Sequence, residues 1–289
     1  MSVLVIGATG TIGSLVVQGL AAAGADVRAL VRTAGRKRFP EGVTEVVGDL
    51  TDVPSLRAAF ASVRTLFLLN AVTADEVTQA LVALNLAREA GIERIVYLSV
   101  IHAEPYTNVP HFTGKHTVER MIESMDIPAT ILRPAYFMQN DLTVQQVIRS
   151  YGVYPMPIGS AGVAMVDARD IADIAVSELL RRDKAADALP RMTLDLTGPE
   201  VLTGHSAAKA WSAALEREIG YGGNDVVAFE GQMAQFSPSW FAYDMRLMMS
   251  GIQTIGMHGA EATVDRLEEI LGHPLRRYAD FVKEAIEAA

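Results

Sequence analysis

The sequence predicts an α/β fold, a doubly wound parallel sheet with a smaller, helix-rich C-terminal lobe. Three observations carry this. Apolar strand-like runs alternate with helical patterns through the first half of the chain. A glycine-spaced turn, Gly7-Ala8-Thr9-Gly10-Thr11-Ile12-Gly13, follows the first of those runs directly. After Pro134 the alternation breaks into a loop and a mostly helical remainder. Strands separated by helices pair in parallel, because each return to the sheet needs a crossover and the crossover helix then covers a face.

The strand-like runs are Val3–Ile6, Val27–Val31, Val43–Val47, Thr65–Leu69, Ile95–Leu98 and Ala129–Leu132. Between them lie helical patterns near Thr11–Ala23, Val53–Ala61, Asp75–Ala90 and His111–Met125, punctuated by Gly24, Gly91 and Pro128. Glycine stops a helix cheaply because it tolerates left-handed backbone, and proline cannot continue one. The segment Tyr151–Gly162 holds Gly152, Pro155, Pro157, Gly159 and Gly162 and reads as a loop with room for a short hairpin. Val163–Val166 reads as a strand, Asp170–Leu180 as a helix capped by Asp170, and Met192–Leu196 as a strand. Beyond Leu202 the pattern is helical over Ser206–Ile219, Gln232–Ser250, Thr263–Leu271 and Tyr278–Ala288. The expected organisation is a nucleotide-binding lobe from 1–150 and about 163–200, with about 151–162 and 201–289 forming a capping lobe.

The glycine turn sits where a buried strand hands over to a helix. Gly7 allows the turn, Gly10 lets backbone approach a pyrophosphate, and Gly13 lets the helix pack on the strand. The open N–H groups of Thr11, Ile12 and Gly13 at the helix start attract anions, and Thr9 lines the turn. The spacing is G-x-x-G-x-x-G, and its strand–turn–helix setting makes it a Rossmann-type dinucleotide site. The alternative is a glycine-rich turn without a ligand.

Arg32 stands directly after the second strand, where NAD binders place a carboxylate for the ribose 2′-hydroxyl. A guanidinium there meets a 2′-phosphate with paired hydrogen bonds, so NADP(H) is favoured over NAD(H). Arg36, Lys37 and Arg38 read mostly as a solvated loop. Asp49 is placed to bond the adenine amino group, and a plain turn or helix cap explains it equally well. Leu50, Asn70 and Ser99 complete the expected cofactor-lining set.

Half of the 289 residues are apolar and a fifth are charged, an ordinary globular balance. With no cysteine, disulfides and thiolate chemistry are excluded, and a cytoplasmic location is expected. The first apolar run leads into the glycine turn without a basic region, so it does not read as a signal peptide. No run is long enough to span a membrane. A net charge of −9 opposes direct binding of nucleic acid or anionic lipid. The histidines show no metal-ligand spacing.

Several segments together resemble the NmrA-like branch of the atypical short-chain dehydrogenase/reductases. They are the glycine turn, Tyr97-Leu98-Ser99, His111-Phe112-Thr113-Gly114-Lys115, the stretch Leu132–Asn140, and Val166–Asp173. The resemblance covers the nucleotide lobe and implies a Rossmann fold binding NADP. It implies either a quinone or dye reductase or a redox-sensing regulator that acts through a protein partner. In active short-chain dehydrogenases a Tyr lies four residues before the Lys, one turn away on the same helix face. Lys115 is matched; the Tyr position holds His111. The usual proton relay is therefore missing. His111 is itself an acid candidate, because imidazole titrates near neutrality, or else a cap or packing residue. Tyr136 is expected to face the nicotinamide end as an alternative donor, or to pack. Met245, Met248 and Met249 with Trp240, Phe241 and Tyr243 read as core or as walls of an apolar substrate pocket. The expected reaction is hydride transfer from NADPH to a quinone-like or conjugated apolar acceptor. The oligomeric state is not legible.

Overall fold

The computed structural model describes residues 2–288. A central seven-stranded sheet runs in the order β3-β2-β1-β4-β5-β6-β8. In chain order its first half is β1 (Ser2–Val5), α1 (Thr11–Ala22), β2 (Val27–Val31), β3 (Thr44–Val47), α2 (Val53–Phe60), β4 (Val63–Leu68), α3 (Glu76–Glu89), β5 (Arg94–Leu98), α4 (Pro110–Ser124) and β6 (Ala129–Pro134). Pairing from β3 through to β6 is parallel throughout. The strand order reverses direction at β1, and there the sheet opens a crevice beyond the carboxyl ends of its strands.

After a 3-10 turn at Met138–Val144 come α5 (Gln145–Tyr151), β7 (Val153–Tyr154), α6 (Ala168–Lys184) and the sheet strand β8 (Met192–Leu196). The remainder is α7 (Gly204–Leu215), β9 (Gly220–Tyr221), α8 (Val226–Met233), α9 (Ser239–Ile255), α10 (Thr263–Leu271) and α11 (Tyr278–Glu287).

The chain forms two compact units. The first takes the residues up to Val100, Gly114–Arg133 and Ile171–Leu194; the second takes Ile101–Thr113, Pro134–Asp170 and Asp195 onward. Residues 101–113, 134–150, 163–170 and 195–200, which the sequence assigns to the nucleotide lobe, thus group with the second unit. In the first unit, alternate strand residues Leu4, Ile6, Leu30, Leu66, Leu68, Ile95, Tyr97 and Ile131 form one buried cluster with Leu56, Phe60, Leu84, Val118 and Ile122 of α2, α3 and α4. Helices α1 and α6 meet at Gly19, where a Cβ would lie 2.8 Å from Val176.

Four expectations are corrected. Val163–Val166 makes only isolated bridges, Phe137 to Val166 and Val163 to Leu202 and Met257, and no regular strand. Gln232–Ser250 is not one helix: α8 ends at Met233 and α9 starts after Pro238, whose fixed φ and missing N–H suit the residue before a first turn. The segment around Tyr154 forms no hairpin, since β7 pairs in parallel with the distant β9. Asp167, not Asp170, caps α6 by accepting the Arg169 N–H at 2.8 Å. Asp170 instead takes the backbone N–H and guanidinium of Arg276.

A buried carboxylate organises the second unit. Asp141 accepts hydrogen bonds from the hydroxyls of Tyr136 (3.2 Å), Tyr154 (3.0 Å) and Tyr278 (2.6 Å), and the Trp211 indole N–H donates to Tyr278 at 2.9 Å. Burial raises the Asp141 carboxyl to about 6, although the three hydroxyls oppose the rise. The folded state therefore holds the Asp141 proton more tightly than the unfolded chain. That contribution to stability is full below about pH 4 and is lost as pH rises through about 6. In paired urea unfolding curves of the parent and Asp141→Asn, the parent's advantage should shrink by about 2 kcal/mol between pH 4 and pH 7. A difference that stays constant or grows over that interval would refute the assignment.

Candidate cofactor site

At the exit of β1 the glycine turn has the geometry that dinucleotide binding requires. Gly7 adopts φ +75°, and a Cβ there would stand 2.9 Å from the Leu69 carbonyl oxygen. A Cβ on Gly13 would lie 2.1 Å from the Gly7 carbonyl oxygen, so the first turn of α1 packs against the loop backbone with no room for a side chain. Gly10 differs. Its backbone is extended (φ −80°, ψ 178°), and a Cβ would make only an ordinary 3.5 Å contact. Nothing in the protein's own packing requires glycine at this position.

Helix α1 begins there without a side-chain cap and without an acidic residue in its first turn. Its first N–H groups are left for an external acceptor, and the helix dipole favours an anion. Thr9, Gly10 and Thr11 are exposed at this end, whereas Ile12 is buried and serves the core.

An open cleft beside the turn brings together Gly7, Thr9, Arg32, Asp49 and Leu50 of the expected set, with Leu30, Leu69 and Gln79. Arg32 is exposed on its rim. Asp49 Oδ1 accepts from the Thr51 backbone N–H (2.8 Å) and hydroxyl (2.6 Å). These bonds, with a smaller contribution from Arg32, hold its carboxyl below the usual range. Asp49 is thus a turn residue through Oδ1 and at the same time lines the cleft. The following helix is capped by Asp52, through Ser55, and not by Thr51. Lys37 reaches back to the Thr9 carbonyl oxygen at 2.9 Å. The sequence reading placed Lys37 in a solvated loop; the basic run itself was the available signal.

Asn70, just past β4, is 3% exposed, and neither its Oδ1 nor its Nδ2 has a partner. A buried amide with both ends unpaired costs stability unless a ligand meets it. Together with bare Gly10 and uncapped α1, this fits the residues to a dinucleotide.

Lys115, on α4, is buried and donates to Glu76 Oε1 at 2.5 Å. Ser99 is not free to line the site: its hydroxyl donates to buried Glu119 at 2.5 Å, and Glu119 is held in turn by Arg133. Tyr136 is likewise withdrawn. It is buried, its hydroxyl is bonded to Asp141, and burial pushes that hydroxyl well above its usual range. The short stretch after β6 turns the ring into the second unit's interior, which spacing from the strand end did not reveal.

His111 has its Nδ1 2.5 Å from Asp244 Oδ2 on α9. Of the apolar group on α9, Met248 and Met249 are core, while Trp240 and Tyr243 are exposed.

The model of the NmrA-like family matches residues 1–256. The chain belongs to the NmrA-like family. The NAD(P)H azoreductase of Xenophilus azovorans is 32% identical over 286 residues, 97% of this chain and 96% of the relative. The NADPH complex of the Escherichia coli NADPH-dependent quinone oxidoreductase superposes with a TM-score of 0.85 at 22% identity, covering 98% of this chain and 99% of that one. The Citrobacter triphenylmethane reductase bound to NADP(H) gives 0.84 at 23%, covering 98% and 100%. The Rossmann-type fold read from the alternating strands and helices is the one these relatives share. Among the described residues, no helix is long and apolar enough to cross a membrane.

The two crowded glycines and the bare one separate structure from binding. Gly13→Ala should destabilise the fold by about 3 kcal/mol or more, because the obstruction is backbone and cannot rotate away. Gly10→Val should unfold at a denaturant concentration close to the parent's yet lose nucleotide binding in calorimetry. Retained binding in a folded Gly10→Val protein would mean that the turn does not hold the pyrophosphate.

Proposed function

We propose that this protein is an NADP(H)-dependent reductase that passes a hydride to a planar, conjugated acceptor of the quinone or azo-dye class. The observation that carries the reading is the buried, unpaired amide of Asn70, taken with the uncapped start of α1 and the uncrowded Cα of Gly10. The named activity of the azoreductase relative supports the acceptor class.

Each residue then has a definable task. The N–H groups at the start of α1 receive the pyrophosphate. Arg32, at the rim and free of a fixed carboxylate partner among the described residues, meets the 2′-phosphate; Lys37, anchored on the Thr9 carbonyl, adds positive charge beside the turn. The Asp49 carboxylate faces the same cleft and receives the adenine amino group. Lys115 carries three donors, of which Glu76 takes one, leaving others for ribose hydroxyls. Glu76 also neutralises the buried cation, so Lys115 keeps a fixed position without the ligand. The bound nicotinamide supplies the hydride; the protein supplies position, and orientation alone accounts for much of the rate in such transfers.

Calorimetry with NADPH and NADH should show a preference for NADPH. In Arg32→Ala the loss should be confined to the phosphorylated form, at about 1.5–3 kcal/mol, the range for hydrogen bonds to charged groups. Equal affinities of the parent for both nucleotides would remove the NADP assignment. Anaerobic NADPH oxidation against quinones and azo dyes should show turnover; tight NADPH binding with no turnover on any acceptor would remove the reductase reading.

A further inference from the structure

His111 is held more firmly than a helix-start residue needs to be. Its Nδ1 lies 2.5 Å from Asp244 Oδ2, and its backbone N–H donates to Asp244 Oδ1 at 3.4 Å. Asp244 is fully buried on α9, and the His111 side chain is only 9% exposed. The Phe112 ring packs edge-on against the imidazole with centroids 4.7 Å apart. A carboxylate only accepts hydrogen bonds, so Nδ1 carries the hydrogen. Nε2 is then the one polar ring atom left open, and among the described residues it has no partner. A cap alone would use the Asp244 contact to the backbone N–H. It would not need the second oxygen aligned on the ring.

The residue so held lies four positions before Lys115, one turn earlier on α4. We propose that His111, oriented by Asp244, is the proton donor to the acceptor, and that Asp244 is a positioning residue for it. The proposal rests on the reductase reading above. In quinone reduction the hydride pair forms a new bond on the acceptor and leaves an oxyanion. The proton passes from Nε2 to that oxygen, giving the hydroquinone and NADP⁺. The neutral ring stays bonded through Nδ1–H to Asp244 and takes its next proton from water. While the ring is cationic, the Asp244 carboxylate balances it, as a buried carboxylate does for a catalytic imidazolium.

This assignment separates acceptors by proton demand. A quinone needs a hydride and a proton. A triarylmethyl cation needs the hydride alone, because its new C–H bond already yields the neutral leuco form. Loss of the proton donor should therefore harm the first reaction and largely spare the second. A purely structural role would harm both.

The test compares the parent with His111→Gln, Asp244→Asn and Asp244→Glu, using NADPH with 1,4-naphthoquinone and with crystal violet, anaerobically. In His111→Gln and Asp244→Asn, naphthoquinone kcat should fall about a hundredfold or more, and crystal violet kcat less than about tenfold. Asp244→Glu should recover most of the quinone rate, and NADPH dissociation constants should stay close to the parent's. A second readout needs no turnover: nitrogen NMR of histidine-labelled, nucleotide-free parent protein should show His111 protonated at Nδ1. Parallel losses on both acceptors, no loss on either, or an Nε2-protonated neutral His111 would each overturn the proposal. A parent inactive on both acceptors would overturn the reductase reading and this proposal with it, whereas an active parent without the split overturns this proposal alone.

Discussion

The approach of α1 to the loop that feeds it is the constraint on which the rest depends. A Cβ at Gly13 would overlap the Gly7 carbonyl at 2.1 Å, so α1 starts as close to the sheet as backbone allows. That closeness aims the uncapped helix end at the crevice where the strand order reverses. A helix starting farther out would be free to take a side-chain cap and would spend its N–H groups internally. On the proposed function, the anion site would be a by-product of packing: the glycine that helix packing requires, Gly13, and the uncrowded glycine proposed for ligand contact, Gly10, sit three residues apart on one turn.

How much of this was legible in the sequence depends on the range of the interaction. The glycine turn, Arg32 after β2 and the alternation of strands and helices are local patterns, and each stands where its spacing placed it. Tyr136, which takes the packing alternative, and Ser99 turn away from the expected cofactor side for one reason. Each lies just past a strand end, where the next peptide decides whether a side chain enters a crevice or the interior. Tyr136 turns inward to Asp141, five residues on, and Ser99 is taken by Glu119, 20 residues away. The partners of His111 and Lys115 were not visible at all, because Asp244 and Glu76 are 133 and 39 residues distant. No periodicity reports a pair formed by two helices from separate parts of the chain.

Helix α4 shows what those long-range pairs accomplish together. His111, Lys115 and Glu119 follow at intervals of four along one side of it, and each is met by a charged side chain from another element: Asp244, Glu76 and Arg133. Arg133 grips Glu119 through two nitrogens, the forked geometry that fixes orientation as well as distance. Removing one partner of a buried pair costs about 3–5 kcal/mol, far more than the pair contributes over an apolar replacement. Such an arrangement is therefore a poor way to gain stability and a good way to hold charged groups at fixed positions.

Two of the three pairs leave hydrogen-bonding capacity unused, and the third does not. Glu119 has both oxygens engaged by Ser99 and Arg133, so it anchors the helix and offers nothing further. Lys115 retains donors beyond the one Glu76 accepts, and His111 retains Nε2. The N-terminal part of α4 is thus the part whose paired side chains keep hydrogen-bonding capacity unused. Each of these side chains has its direction fixed by a carboxylate of the protein itself, Glu76 for Lys115 and Asp244 for His111, so neither needs a ligand to orient it. On the proposed function, binding energy would then go to placing the acceptor and not to ordering these side chains, which is where orientation has its effect on rate.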